Sequence, residues 1–310
     1  MIDVDLFPIL QISEFSTIYP TRSISKQLLI VIFVTMESFI ISNGISVHIW
    51  DTKDEGTPSD APAMVLLHGY LETMYIFNEL VASLKGKYRV IALDLPGHGL
   101  TDSAPAGDDG LSVNSVEFDV PVICGVLDKL GVESAFIAGH SMGGYITLEC
   151  IKECPERFSK ALLLCSHPYP DAPEVAQNRD REINVVMSGK LPLLAEASIP
   201  KMYCQDNLRK CDEKIRETVE LCEMHDPEGI VASIRGIKCR PDLRGVLQNP
   251  PCPVVLIHGD HDNFLSLDRV AEMKTLFPKV TYCLIPNCGH NPFIEDTPAT
   301  VAAIDLFCGC

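Results

Sequence analysis

Gly139-His140-Ser141-Met142-Gly143 decides the reading of this chain. The apolar run Ala135-Phe136-Ile137-Ala138 precedes it, and the helix-forming run Tyr145-Ile146-Thr147-Leu148-Glu149-Cys150-Ile151-Lys152 follows. A serine flanked by glycines, between a strand and a helix, is what a tight nucleophile-bearing turn requires. The glycines remove the Cβ atoms that would clash there. A helix beginning just after Ser141 points free backbone N–H groups and the positive end of its dipole at the serine. One short segment therefore supplies a nucleophile and half of an oxyanion hole. Gly and Ser are common residues, so the pentapeptide needs a base and an orienting acid elsewhere in the chain.

Those partners are expected in the order acid, then base. Past the run Val254-Val255-Leu256-Ile257 comes His258-Gly259-Asp260-His261-Asp262-Asn263, and past Val280-Thr281-Tyr282-Cys283-Leu284-Ile285 comes Pro286-Asn287-Cys288-Gly289-His290-Asn291. Each cluster follows a strand-like segment, where α/β sheets carry their sites. His290 is the expected base, and Asp260 and Asp262 compete as the acid. A further strand-like run, Met64-Val65-Leu66-Leu67, leads into His68-Gly69-Tyr70. The backbone N–H groups of Tyr70 and Met142 are the expected oxyanion donors, each worth about 3–4 kcal/mol in a transition state. His68 is expected to brace its loop without transferring protons.

Four motifs in order carry a family resemblance: Leu67-His68-Gly69-Tyr70, Asp94-Leu95-Pro96-Gly97-His98-Gly99-Leu100-Thr101-Asp102, Gly139-His140-Ser141-Met142-Gly143-Gly144 and Gly289-His290. Together they resemble the α/β-hydrolase superfamily, in its epoxide-hydrolase, esterase and lactonase-like branch, from about Ile45 to the C-terminus. The resemblance implies that the acid stands three residues after Gly259, at Asp262, with Asp260 capping its loop. It implies that the loop from Asp94 to Asp102 shapes the pocket wall. Dehalogenases and epoxide hydrolases of that branch carry an aspartate at the elbow. Ser141 here favours acyl chemistry, and the context is similar to enol-lactone hydrolases and carrier-protein methyl ester esterases.

Along the chain, Phe39-Ile40 and Ile45 to Trp50 read as a hairpin turned at Ser42-Asn43-Gly44. Strand-like runs at 64–67, 88–93, 135–138 and 161–165 alternate with helical runs at 74–84, 116–130 and 145–152. That alternation predicts an α/β fold with a doubly wound, mostly parallel sheet. After Cys165 the rhythm changes to charged helical segments at 174–188, 191–197, 212–224 and 227–237. The expected organisation is a core of residues 36–165 and 245–310 interrupted by a helical cap, 166–244. Within the cap, Arg179 or Arg181 is a candidate to receive a substrate carboxylate. His167 and Tyr169 are candidate pocket residues after the sixth strand, and His68, Gly69 and His140 complete the candidate substrate contacts.

The chain has 310 residues, 46% hydrophobic and 22% charged, an ordinary globular profile. Its net charge of −17 disfavours nucleic acid and anionic membrane surfaces, which need a basic face. It also works against an acidic carrier-protein partner, leaving a small-molecule acyl substrate as the expected one. Thirteen cysteines without a Cys-x-x-Cys pair read as reduced thiols of a cytoplasmic protein. Neither a cofactor motif nor a metal-ligand set is expected. Leu28 to Val34 is too short an apolar run to span a bilayer. Residues 1–35 are expected to be an extension outside the folded domain, disordered or absent from the native chain, with Met36 leading into the first strand.

The expected function is hydrolysis of a small carboxylic ester, lactone or thioester through Ser141, His290 and Asp262. The same residues could instead run C–C bond hydrolysis or a proton-abstraction lyase reaction, or the fold could be retained as a non-catalytic ligand cup.

Overall fold

The computed structural model describes residues 37–309, so the expectation for 1–35 lies outside the described residues. The chain opens with a hairpin, β1 (Glu37–Ser42) and β2 (Ile45–Asp51). Asn43 and Gly44 turn it with φ of 47° and 81°, the left-handed pair that matches strand twist. Six further strands follow: β3 (Ala63–Leu67), β4 (Arg89–Leu93), β5 (Ala135–His140), β6 (Phe158–Leu164), β7 (Val254–Gly259) and β8 (Thr281–Ile285).

They form one eight-stranded sheet in the order β1-β2-β4-β3-β5-β6-β7-β8. β2 runs antiparallel to β1 and β4, and all pairings from β4 onward are parallel. The inner strands are near-continuous apolar runs because both sheet faces are covered. Alternate residues serve opposite faces. Val65, Leu67, Ile91, Leu93 and Ile137 pack with α2 (Val116–Lys129) and α3 (Met142–Glu153). Met64, Leu66, Val90, Ala92 and Ala138 pack with α1 (Asn78–Leu84) on the other face. The run expected to be helical from Met74 starts as a tight 3-10 turn, Met74–Phe77, before α1 begins.

Between β6 and β7 lies a helical insertion: α4 (Pro173–Met187), α5 (Leu191–Ser198), α6 (Asp212–Glu223), α7 (Pro227–Cys239) and the short α8 (Arg244–Gln248). α7 anchors it, burying Ile230, Val231, Ile234 and Ile237. Two glycines let α7 approach the loops after β4. A Cβ on Gly229 would come within 2.7 Å of the Gly97 carbonyl oxygen, and one on Gly236 within 1.7 Å of that of Asn114. Asn114 cements the contact, its amide nitrogen donating to Pro96 O at 2.9 Å and Ser233 Oγ at 2.9 Å. The chain ends with α9 (Leu267–Leu276), α10 (Pro292–Glu295) and α11 (Thr297–Cys308).

Strand register positions the functional loops. Leu67 pairs with Gly139, His140 with Leu164, Leu164 with Ile257, and Gly259 with Ile285. The C-terminal ends of β3, β5, β6, β7 and β8 therefore stand in one row, and the loops leaving them converge at that edge.

Candidate active site

Ser141 links β5 to α3 with φ 49° and ψ −109°, a conformation natural to glycine and strained in a serine. Such a residue costs on the order of 1–3 kcal/mol and persists only where its surroundings enforce it. Here they do. Ser141 N donates to Leu164 O at 2.9 Å, and its carbonyl accepts from Gly144 N at 3.0 Å and Ser166 Oγ at 2.7 Å. The flanking glycines are compelled by close packing. A Cβ on Gly139 would lie 2.1 Å from Gly143 O, and one on Gly143 would lie 2.3 Å from Leu67 O. Met142 is the first residue of α3, so its N–H has no acceptor within the helix.

Past β7, Asp262 turns its carboxylate on His290, with Oδ2 2.8 Å from Nδ1. Its Oδ1 accepts from Phe264 N at 2.7 Å and Leu265 N at 3.0 Å. Burial opposes the charged carboxylate, but the facing imidazole and these two amides outweigh it and hold Asp262 below the usual range. His290 is likewise penalised by burial, and the Asp262 carboxylate more than compensates, holding the imidazole above its ordinary value. Asp260 is engaged elsewhere, with Oδ1 2.7 Å from His261 Nδ1 and accepting from Cys288 N at 3.2 Å. The competition left open by the residue pattern is thus resolved in space, with Asp262 facing His290 and Asp260 facing its own loop.

The His290 loop is fixed from the insertion. His290 N donates to Met202 O at 2.7 Å, and Glu295 accepts from both Gly289 N at 2.7 Å and Cys204 N at 2.9 Å.

A second carboxylate–histidine pair lies directly behind. His140 Nδ1 is 2.8 Å from Glu72 Oε2, and His140 Nε2 is 3.0 Å from the His290 carbonyl oxygen. Both ring nitrogens therefore face acceptors. Glu72 Oε2 already accepts from Gly69 N at 2.7 Å. Burial works against a charged Glu72, but His140 and the Gly69 amide hold it below the usual carboxylate range. His140 is thus a buried support for the His290 main chain, although it also borders the pocket.

A cavity of about 80 Å³ opens on Ser141 and His290. Its wall adds His140, Met142, Tyr70 and Tyr145 from the core. Arg179, Met202 and Ile237 come from the insertion, and Phe264 from the loop after β7. Phe264 is 52% exposed and tilts over His290, ring centroids 4.9 Å apart, so it forms the mouth.

Several sequence candidates lie elsewhere. His68 is fully buried and spent on its loop: Nε2 accepts from Leu95 N at 2.9 Å, leaving Nδ1 to donate to Gly69 O at 2.7 Å. It stands outside the pocket wall, as does Gly69, whose amide is taken by Glu72. His167 and Tyr169 also lie beyond the wall. His167 packs on Tyr145, ring centroids 5.4 Å apart, and Tyr169 carries the Arg269 guanidinium 4.6 Å from its ring. Arg181 projects to solvent and bonds Asn178 Oδ1 at 2.8 Å, whereas Arg179 faces the cavity. The pattern did not mark Glu72, Tyr145, Met202, Ile237 or Phe264. Of these, Glu72 alone carried a signal, a carboxylate three residues past a glycine in an otherwise apolar loop.

Among the described residues, Cys165, Asp262 and His290 could offer metal-ligand atoms within 4.8 Å of one another. Burial pushes the Cys165 thiol well up, and a cation would have to break the Asp262–His290 hydrogen bond to enter.

Comparison with known proteins sets this geometry in context. The sequence pattern of the alpha/beta hydrolase fold matches residues 62–297. A pimeloyl-[acyl-carrier protein] methyl ester esterase of Nitrosospira multiformis is 28% identical over 265 residues, 80% of this chain and 95% of the relative. A thermophilic esterase from Thermogutta terrifontis, solved with malate bound, superposes with a TM-score of 0.79 at 25% identity, covering 88% of this chain and 98% of the other. The enol-lactonase from Burkholderia xenovorans LB400 superposes at 0.77 with 20% identity, over 88% of this chain and 100% of the other, a likeness of fold.

Proposed function

The chain belongs to the alpha/beta hydrolase fold family, and from that premise we propose that it is a serine hydrolase cleaving small carboxylic esters through Ser141, His290 and Asp262. The observation that carries the reading is the Asp262–His290 hydrogen bond of 2.8 Å, whose imidazole shares a pocket with the strained Ser141.

In this reading His290 takes the Ser141 hydroxyl proton as Oγ bonds to the acyl carbon. The carbonyl π pair moves onto oxygen, where the Tyr70 and Met142 amides receive it. Collapse re-forms the C=O and breaks the ester C–O bond, and the alcohol leaves with the proton from His290. Water, deprotonated by His290, then attacks the acyl-enzyme and releases the acid. Asp262 keeps the Nδ1 tautomer and steadies the imidazolium.

We read residues 166–244 as a cap, because Arg179, Met202 and Ile237 of this stretch wall the pocket. The cavity is small, which favours short acyl chains. The relative's name speaks of an ester on an acyl-carrier protein. A net charge of −17 supports free small esters over an acidic carrier. No helix among the described residues is long and apolar enough to cross a membrane, and the thiol-rich sequence supports a cytoplasmic site.

The test is a p-nitrophenyl ester series from acetyl to decanoyl, run beside Ser141→Ala. A short-chain optimum that vanishes in the variant is expected, with a covalent acyl adduct on Ser141 by intact mass. No turnover on any ester would move the protein to the C–C hydrolase, lyase or highly selective esterase reading.

A further inference from the structure

The pocket wall carries apolar and polar side chains. Met142, Met202, Ile237 and Phe264 offer no hydrogen-bond donor from their side chains, whereas Arg179 and Tyr70 do. The Tyr70 hydroxyl is buried and has no hydrogen-bond partner among the described residues. Burial pushes it well above the ordinary phenol value, so it stays protonated and can donate. A buried hydroxyl left unpaired is costly unless something else binds it.

Arg179 lies beside it, its guanidinium carbon 5.9 Å from the Tyr70 ring centroid. Two of its nitrogens are committed, Nε to Asp171 Oδ2 at 3.3 Å and Nη1 to Glu182 Oε2 at 3.0 Å. They lock the side chain in place. Asp171 is shared with Arg240, whose own guanidinium lies over Tyr145 at 4.2 Å from the ring centroid. One carboxylate thus serves two guanidinium groups, and Nη2 of Arg179 has no partner among the described residues. A held guanidinium with a free arm, next to a phenol with a free hydroxyl, suits a planar oxyanion.

We infer that Arg179 and the Tyr70 hydroxyl form a carboxylate subsite, and that the substrate is a monoester of a short dicarboxylic acid. The inference rests on the serine hydrolase reading above and narrows it. The free carboxylate docks at Arg179 and Tyr70, which directs the ester carbonyl at the other end of the acyl chain toward Ser141. The small cavity favours a short spacer.

The experiment compares monomethyl glutarate with two uncharged analogues, one with a primary amide and one with an isopropyl group in place of the free carboxylate. Methanol release is followed in the wild type, Arg179→Gln, Arg179→Lys and Tyr70→Phe, and a fluorophosphonate probe reports Ser141. The acid ester is expected to exceed the isopropyl analogue about ten- to hundredfold in kcat/KM, the range of a hydrogen bond to a charged group. The ratio should collapse toward one in Arg179→Gln, fall partway in Arg179→Lys, which keeps charge but loses the fork, and drop severalfold in Tyr70→Phe. Equal or better turnover of either uncharged analogue overturns the subsite, as does a preference for the acid ester that survives Arg179→Gln. Ser141 labelled by the probe with none of the three esters hydrolysed also overturns it. No labelling of Ser141 together with no turnover overturns the hydrolase reading itself.

Discussion

Two histidines in this protein face a carboxylate at the same 2.8 Å, and they are built for different tasks. His290 meets Asp262 through Nδ1 and looks into the pocket. His140 meets Glu72 through Nδ1 and spends Nε2 on the His290 carbonyl. The first pair leaves one nitrogen for chemistry, and the second leaves none. A carboxylate–imidazole contact is therefore not itself the mark of a base; the partner of the other nitrogen is. His48 makes the same point in the middle of β2, where Asp94 and Glu37 hold it between two acids, away from the pocket wall.

The comparison can be broken in steps of decreasing size. Ser141→Ala is expected to lower kcat by about 10⁴–10⁶, as in other serine triads, measured on the preferred ester. Near-normal turnover would remove Ser141 as the nucleophile. Asp262→Asn should cost about 10³–10⁴ in kcat by losing the charge behind the imidazole, while Asp260→Asn stays close to wild type. If the two exchange ranks, Asp262 is not the orienting acid.

pH offers a milder perturbation. His290 must be neutral to accept the serine proton, and its value is held above the ordinary imidazole. kcat/KM should therefore fall about tenfold per pH unit on the acid side of a limb lying above roughly pH 6.5. A limb below that value would contradict the charge assigned to Asp262. Glu72→Gln replaces the anion shared by the His140 ring and the Gly69 amide with a neutral amide, which loosens the ring that holds the His290 carbonyl. An effect of about ten- to hundredfold on kcat is expected, with little change in KM, as for a base displaced slightly from its working position. An unchanged kcat would make the second pair purely structural.

The smallest effect is on stability. His48 is raised from 6.5 to about 9: burial opposes its charge, and hydrogen bonds to Asp94 and Glu37 overcome that. A raised folded value means the stabilisation is complete below about pH 6.5 and disappears as pH climbs through 9. Urea midpoints should decline across that window, and His48→Gln should flatten the decline. Activity at fixed pH serves as the control, since His48 lies outside the pocket.

Much of this architecture is legible in the residue pattern because its signals are local. Asn43-Gly44 marks the hairpin, and the apolar runs at 64–67 and 254–257 mark buried parallel strands. The helices of the insertion begin and end within a few residues of their periodic segments, since amphipathic periodicity is a property of each helix alone. The pentapeptide around Ser141 announces its turn for the same reason. Contacts across long separations leave no such trace. Glu72 and His140 are 68 residues apart, and nothing near either one signals the other. Met202 and Phe264 enter the pocket as ordinary apolar residues of an insertion and a loop. His68, Gly69, His167 and Tyr169 sit beside functional motifs in sequence yet outside the pocket in space, because adjacency along a loop says nothing of which way a side chain turns.

Sequence by itself determined the α/β sheet, the turn that strains Ser141, and the places of Asp262 and His290 behind their strands, since strands, tight turns and helix starts are written in neighbouring residues. Tertiary structure decided which aspartate reaches His290, which histidine becomes a support, and which arginine faces the cavity. Arg179 and Arg181 are two residues apart on one helix, and at about 100° per residue they point to nearly opposite sides. Only the packing of α4 against the core selects the side that meets the pocket.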